Sequence, residues 1–362
     1  MGPQERQGNP QYPQGEMTMY PNQLLTALKV AERSGVSTLI SGPPGIGKSQ
    51  ITYQFAKQTG RAMTEIRPAQ WDQTDVMGIP DFITNELGER CTAWTRPEYL
   101  PTAPHSILLI EELDKAAPAV QAALLELVLD KRIGKYRLAA DCFILACCNR
   151  MEDRSGSFAQ SKALGSRFQH LKLEPSNDDW EKWALAHGIR IDELAYLRWK
   201  PEHLHQFDPT QKSPAFPCPR QWELLNLTLN AMDEIGPETD AIRQEEIAGH
   251  IGPEIGAEFH AFALMFMELP DPRKIDKDPD GTGVPLKTNA RYAVTTALAR
   301  TATAANVGAR IKYIARITDG QKNPLKEFQV IFARDLTALK SPALSTPEFT
   351  AWILANSDFL GA

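Results

Sequence analysis

Residues Gly42-Pro43-Pro44-Gly45-Ile46-Gly47-Lys48-Ser49 decide how the rest of this chain is read. They match Gly-x-x-x-x-Gly-Lys-[Ser/Thr], a loop whose glycines let backbone N–H groups turn inward around a polyphosphate. The lysine reaches the outer phosphates and the hydroxyl can ligate Mg²⁺. The flanks agree. Residues 36–41 form a short apolar, β-branched run and residues 50–58 read as a helix, so the loop falls where a strand hands over to an anion-attracting helix N-terminus. Gly42 to Ser49 are therefore the candidate nucleotide-binding residues, and Ser49 is also a candidate metal ligand.

With 362 residues the chain is long enough for two domains with real cores, or three with one small. A formal net charge of −6 argues against a general nucleic-acid binder, which carries a basic stripe. The five cysteines are odd in number and lack a Cys-x-x-Cys pair; Cys142, Cys147 and Cys148, in or beside the apolar run 142–148, read as reduced, mostly buried small hydrophobes, which fits a cytoplasmic protein. No apolar run approaches about 18 residues and no basic-then-apolar leader opens the chain, so neither a membrane partner nor an export signal is expected.

Residues 1–16, rich in proline, glutamine and glycine, read as a flexible tail. Residues 17–175 alternate strand and helix, the pattern of an α/β domain. The expected strands are 36–41, 63–67, 106–111, 142–147 and 170–173, making a five-stranded parallel sheet with helices on both faces. Ile107–Ile110, four aliphatics in a row, suits a strand buried on both sides. Helices are expected at 48–59 and 118–129, and a hairpin over 132–138 around Gly134. Residues 70–99 fit neither period and read as an insertion projecting from the sheet, with Trp71 and Trp94 expected to pack a small core rather than to anchor a partner. Beyond Pro175 the chain turns helical: a lid over 176–234, with helices at 178–187, 191–199 and 220–232, then a helical extension over 235–362. The extension shows apolar periodicity over 256–269, 290–306 and 325–339. Ile-Gly-Pro-Glu occurs at 235–238 and again at 251–254, and reads as two helix starts rather than a repeat. Residues 274–283 are charged and glycine-bearing, and read as a disordered connection.

Three further features bear on chemistry. The apolar strand 107–110 ends in Glu111-Glu112, which puts carboxylates at the carboxyl end of a strand neighbouring the phosphate loop. One acid can hold the hydration shell of Mg²⁺ and the next can polarise a water for attack on a γ-phosphate. Asn149 ends another buried strand, either contacting that phosphate or capping a loop. Arg167, in Ser166-Arg167-Phe168, precedes the last strand and is either a surface cation or part of the site. Other signals are set aside. His203-x-His205 lacks further metal-type ligands. Arg190, Arg198 and Lys200 read as a solvated helical face, and Trp180 and Trp183 as lid core.

Phosphate loop, acid-ended strand, asparagine-ended strand, Ser-Arg-Phe and helical lid, in that order, resemble AAA+ ATPases. The detailed text is similar to the MoxR group. It includes Gln70, Asp75 and Gly78-Ile79-Pro80; Trp94 and Leu100-Pro101; residues 116–125; Asp130-Lys131-Arg132-Ile133-Gly134; and Pro217-Cys218-Pro219-Arg220-Gln221-Trp222. The resemblance runs from about Tyr20 to Leu229. It implies that Lys48 and Ser49 are the Walker A pair, with Glu111 and Glu112 at the Walker B positions. Glu112 would activate water, Asn149 would be sensor 1, Arg167 the arginine finger and Arg220 the sensor 2 arginine. It further implies ATP and Mg²⁺ as ligands, a ring that is commonly a hexamer, and a protein client, in this group often one with a von Willebrand A domain.

This chain departs from the pattern at three places. Glu111 stands where aspartate is usual, Ser166 where aspartate is frequent, and Arg150 where proline is common. Arg150 and Arg154 thereby become further candidates for the finger. The expected function is Mg²⁺-dependent ATP hydrolysis that remodels or activates a partner protein. The rival readings are a nucleotide-gated assembly module with little hydrolysis and a DNA-processing motor.

Overall fold

The computed structural model describes residues 18–153, 162–211, 213–236, 239–319 and 323–360. The chain divides into two compact units, Met1–Glu174 and Pro175–Ala362. The tail expected over residues 1–16, the candidate Arg154, and Pro237 and Glu238 of the first Ile-Gly-Pro-Glu lie outside the described residues.

The first unit contains strands β1 (Thr18–Met19), β2 (Thr38–Ser41), β3 (Ala62–Ile66), β4 (Pro80–Thr84), β5 (Arg90–Trp94), β6 (Ser106–Ile110), β7 (Arg132–Ile133), β8 (Tyr136–Arg137), β9 (Phe143–Cys148) and β10 (Gln169–Leu173). Its helices are α1 (Pro21–Ser34), α2 (Lys48–Thr59), α3 (Gln73–Met77), α4 (Pro118–Asp130) and α5 (Lys162–Gly165). Six strands form one parallel sheet in the order β1-β10-β2-β9-β6-β3. The sheet therefore has one strand more than the five expected. Thr18 and Met19 pair with Lys172 and Leu173, and a two-residue strand is too short to show a period.

Burial on both faces explains the unbroken aliphatic runs. Along β6, Ile107 and Leu109 join one core with α1 and α2, while Leu108 and Ile110 join another with α4 and α5. Along β9, Phe143, Leu145 and Cys147 take the first side and Ile144 and Ala146 the second. Successive side chains point to opposite faces, so only a continuous apolar run satisfies both layers.

The insertion is built from α3 and the antiparallel hairpin β4–β5. Trp71 packs against the main core with its ring 4.9 Å from that of Tyr99. Trp94 does not follow it: it is 39% exposed on the hairpin, and its carbonyl accepts from Tyr136 Oη at 2.9 Å. The second hairpin, β7–β8, turns at Gly134 with φ of 54°.

The second unit is helical: α6 (Asn177–His187), α7 (Ile191–Trp199), α8 (Pro219–Ile235), α9 (Asp240–Ile251), α10 (Pro253–Met267), α11 (Pro272–Lys277), α12 (Thr288–Arg300), α13 (Val307–Ala315), α14 (Lys326–Ala338), α15 (Pro347–Ala355) and α16 (Ser357–Leu360). One of its cores gathers Trp180, Tyr196, Trp222, Phe259 and Phe262, with Trp183 against its edge. The other gathers Ile275, Leu298, Tyr313, Phe328 and Phe332. Helix α12 serves both, through Ala293 on one side and Val294 and Leu298 on the other.

Two expectations fail here. Residues 274–283 are ordered: Ile275 is fully buried, Asp276 accepts from Arg310 Nε at 2.8 Å and Nη2 at 3.0 Å, and Tyr313 Oη donates to the Gly283 carbonyl at 2.7 Å. Of the charges that suggested disorder, Asp276 is the ion-pair partner of Arg310, and Asp278 accepts from the Gly281 backbone N–H at 2.8 Å. Arg198 likewise lies on no solvated face. Only 4% exposed, it donates to Glu181, Asp335 and Thr296 at 2.7 Å each, and it ties α7 to α6, α12 and α14. Arg190 pairs with Asp192 and Asp233, and Lys200 with Glu258.

Helix α7 also carries Glu193, fully buried, with both carboxylate oxygens lacking a hydrogen-bond partner among the described residues. Burial, helped by the neighbouring Asp192 charge, pushes its pKa well above the ordinary glutamate range. A raised folded-state value means stability that is present below the unfolded value of about 4.3 and is lost as pH rises. Glu193→Gln removes that loss. The melting temperature of Glu193→Gln relative to wild type is expected to climb between pH 5 and pH 8, and a pH-independent difference in thermal melts refutes the buried neutral carboxyl.

Candidate functional site

The phosphate loop follows β2, which lies between β10 and β9. From β2 the chain passes to the far edge at β3, works back inward through β6 and β9 and then crosses to β10 on the other side of β2, and ligands of open parallel sheets bind at the carboxyl ends of the strands where such a crossing falls. Cys148, Ser41 and Lys172 stand in one row across β9, β2 and β10. Past that row the backbone is crowded. A Cβ on Gly42 would meet the Leu173 carbonyl oxygen at 2.5 Å and Ile46 Cδ1 at 2.8 Å, so glycine is required for packing. Gly45 and Gly47, with φ of 75° and 90°, supply the left-handed turns that bring the loop round to α2.

Lys48 is the centre of the site. Its Nζ donates to the carbonyls of Gly42 at 2.9 Å and Pro43 at 2.8 Å, and to Asn149 Oδ1 at 2.8 Å. Burial lowers its pKa, opposed by the charges of Asp153 and Asp114 among others. Burial raises the Glu111 pKa, opposed by the nearby Ser49 hydroxyl, and Glu111 Oε1 is buried without a partner among the described residues. The structure thus brings Lys48 to Asn149 and Ser49 to Glu111. One expectation needs correcting: β6 is not the strand beside β2. β9 lies between them, so the asparagine strand, rather than the acid strand, flanks the lysine.

Glu112 has φ of 52°, a left-handed conformation that costs a non-glycine residue roughly 1–2 kcal/mol. Its carboxylate accepts from Lys115 Nζ at 2.9 Å. Asp114, which the sequence reading passed over, is buried and accepts from the Asn149 backbone N–H at 3.4 Å. Its only signal was a third acid in Glu-Glu-Leu-Asp.

Each arginine has a separate place. Arg150 is engaged inside its own chain by Asp153, Glu174 and Glu152. Arg167 sits in the turn before β10, where Nη1 donates to the Ala163 carbonyl and buried Nε has no partner among the described residues. Arg220 lies exposed at the start of α8 in the second unit. The structure does not join Arg167 to the Lys48 cluster.

Residues 37–168 match the family model of the AAA domain (dynein-related subfamily), more than a third of the chain. That stretch carries an AAA domain. Among curated proteins, the ATP-dependent Clp protease ATP-binding subunit ClpE of Bacillus subtilis is 23% identical over 219 residues, 57% of this chain and 28% of ClpE. Heat shock protein 104 of Schizosaccharomyces pombe is 31% identical over 105 residues, 27% of this chain and 11% of that protein. The chain thus spans less than a third of the length of these relatives. Among solved structures, NtrX of Brucella abortus gives a TM-score of 0.38 at 14% identity, covering 90% of this chain and 69% of that one. A RuvB mutant of Thermotoga maritima gives 0.34 at 16% identity, covering 88% and 94%.

The residues present fit a nucleoside triphosphate with a divalent cation. The glycine turns and the Lys48 ammonium suit phosphate oxygens, and the Ser49 hydroxyl near a buried Glu111 oxygen that has no partner among the described residues is a hard-oxygen donor pair. Among the described residues no group of three or more His, Cys, Asp or Glu could hold a metal alone. Gly42→Ala forces the loop off Leu173. At an overpacking cost of about 1–3 kcal/mol it is expected to weaken binding of a fluorescent ATP analogue about tenfold or more. Unchanged titrations refute the crowding argument.

Proposed function

We propose that this chain is a Mg²⁺-dependent ATPase of the MoxR type, which assembles as a ring and uses hydrolysis to remodel a partner protein. The observation that carries the reading is the Lys48 cluster, in which the lysine of the phosphate loop, Asn149 at one strand end and the Ser49–Glu111 pair occupy one locality. The AAA domain match over residues 37–168 and the resemblance of residues 70–134 and 217–222 to MoxR proteins support it.

In this reading the backbone of residues 42–49 and the Lys48 ammonium hold the triphosphate. Asn149 orients against its terminal group, and the Glu112 carboxylate accepts a proton from the attacking water. Ser49 and Glu111 would hold Mg²⁺, which when bound neutralises phosphate charge and so assists the leaving group. Arg167 of an adjacent copy would complete the charge neutralisation, as arginine fingers do in phosphoryl transfer. Arg220, on the lid, would serve the same nucleotide. The client is a protein, and a von Willebrand A-domain protein is the candidate from resemblance.

Phosphate release decides between this reading and a module that binds nucleotide without turning it over. Wild type is expected to hydrolyse ATP with Mg²⁺, and Glu112→Gln to bind ATP yet lose about a hundredfold or more in turnover, the scale of a lost general base. Equal rates for the two proteins, or none for either, remove the hydrolase reading. Lys48→Ala is expected to lose nucleotide binding and nucleotide-dependent assembly together, read by light scattering coupled to gel filtration. A nucleotide-stable ring in that variant breaks the link between site and assembly.

A further inference from the structure

Arg150 stands out because its surroundings do not suit the role its position suggests. Resting on the hydrolase reading above, we propose that Arg150 is a positioning residue acting within its own chain, where it locks the Asn149 strand end across the phosphate loop.

The register makes the argument. Cys148, Ser41 and Lys172 lie side by side on β9, β2 and β10. Arg150 and Glu174 each lie two residues past that row, just beyond the ends of the two strands that flank β2, and Gly42 and Pro43 follow β2 itself. Arg150 Nη1 donates to Glu174 Oε1 at 3.1 Å, so the guanidinium bridges the chain leaving β9 and the chain leaving β10, the two strands on either side of β2. Nη2 donates to Asp153 Oδ1 at 3.1 Å and Nε to Asp153 Oδ2 at 3.3 Å, a two-pronged contact that fixes the plane as well as the position. The backbone N–H of Arg150 donates to Asp153 Oδ2 at 3.1 Å, and Glu152 adds a third carboxylate at 3.3 Å. Glu174 is itself held, its backbone N–H donating to the Met19 carbonyl at 2.9 Å.

An arginine that serves a neighbour must be able to leave its own chain. Asp153 and Glu174 are 4% and 7% exposed, and withdrawing the guanidinium would strand two buried carboxylates, the costly way to break a buried pair. The same grip has a use in place. Asn149 is fixed from three directions: its backbone N–H to Asp114, its Oδ1 to Lys48, and its C-terminal neighbour bolted to β10. Its amide therefore keeps one orientation toward the terminal phosphate. Affinity is supplied by the loop backbone, so loosening Asn149 acts on turnover more than on binding.

The test uses the full chain and mixed assemblies. Arg150→Ala is expected to lose about ten- to a hundredfold in turnover at saturating ATP while the ATP dissociation constant moves about threefold or less. Arg150→Lys keeps the charge without the fork and should recover part of the rate. Mixing Arg150→Ala with Glu112→Gln should give no more turnover per Arg150→Ala subunit than Arg150→Ala alone, because neither protein then has a complete site of its own. Mixing Arg167→Ala with Glu112→Gln should restore phosphate release. Recovery in the Arg150 mixture overturns the proposal, since an intact Arg150 would then be serving its neighbour; so does a parallel loss of affinity and rate. Amide hydrogen exchange over residues 147–153 gives a readout independent of hydrolysis. Faster exchange there in Arg150→Ala, partly reversed in Arg150→Lys, is expected, and unchanged exchange overturns the proposal. If wild type itself releases no phosphate, the hydrolase reading fails and the exchange result still decides the role of Arg150. A dead Arg167 mixture counts against the ring alone.

Discussion

A half-buried ammonium organises the first unit. Lys48 has left much of its water, and the loop supplies what the water gave: two carbonyl oxygens from Gly42 and Pro43 and an amide oxygen from Asn149. Those acceptors come from two strands. They meet only because β2 and β9 are neighbours in register and because the loop turns back on itself through Gly45 and Gly47. A buried cation without such partners is costly, so the geometry of the loop, the order of the strands and the identity of residue 149 constrain one another.

Crowding adds a second constraint at the same place. Gly42 lies so close to the Leu173 carbonyl that the loop has no freedom on the β10 side. A phosphate loop fixed in this way presents its N–H groups without paying to order them on binding. The left-handed backbone of Glu112 fits the same logic. A strained conformation persists only where the surroundings hold it, and such strain gathers at sites where a side chain must be aimed.

Much of this was legible in the residues. The five long strands lie within two residues of their expected bounds, because doubly buried strands must be aliphatic on both faces and 107–110 and 142–147 are. Lys48, Ser49, Glu111 and Asn149 were singled out by motif and fall in one locality. What the sequence hid was pairing across distance. Arg198 looked solvated because its partners, Glu181 and Asp335, are remote along the chain, and residues 274–283 looked disordered because Arg310 is 34 residues from Asp276. Charge patterns report composition along a helix, whereas burial depends on what packs opposite. Asp114, Lys115 and Glu174 were missed for the same reason: no motif marks an acid or a base that acts through its neighbour. The sixth strand escaped because two residues cannot show a period.

The balance of charge around the loop carries the last step. Glu111, Glu112, Asp114, Asp153 and Glu174 form an acidic wall beside a loop shaped for an anion, an arrangement that would repel a triphosphate if left bare. Most of that charge is met within the chain: Glu112 by Lys115, Asp153 and Glu174 by Arg150, and Asp114 by the Asn149 N–H with Lys48 nearby. Glu111 differs. Burial raises its pKa against the effect of the nearby Ser49 hydroxyl, and its Oε1 has no partner among the described residues. Buried carboxylate oxygens are rarely left so, and on the proposed reading a cation arriving with the substrate would meet this one. On the proposed reading, the glutamate at this position, longer than the usual aspartate, still serves because the contact it makes to Mg²⁺ can run through water, which tolerates the extra methylene better than direct ligation would.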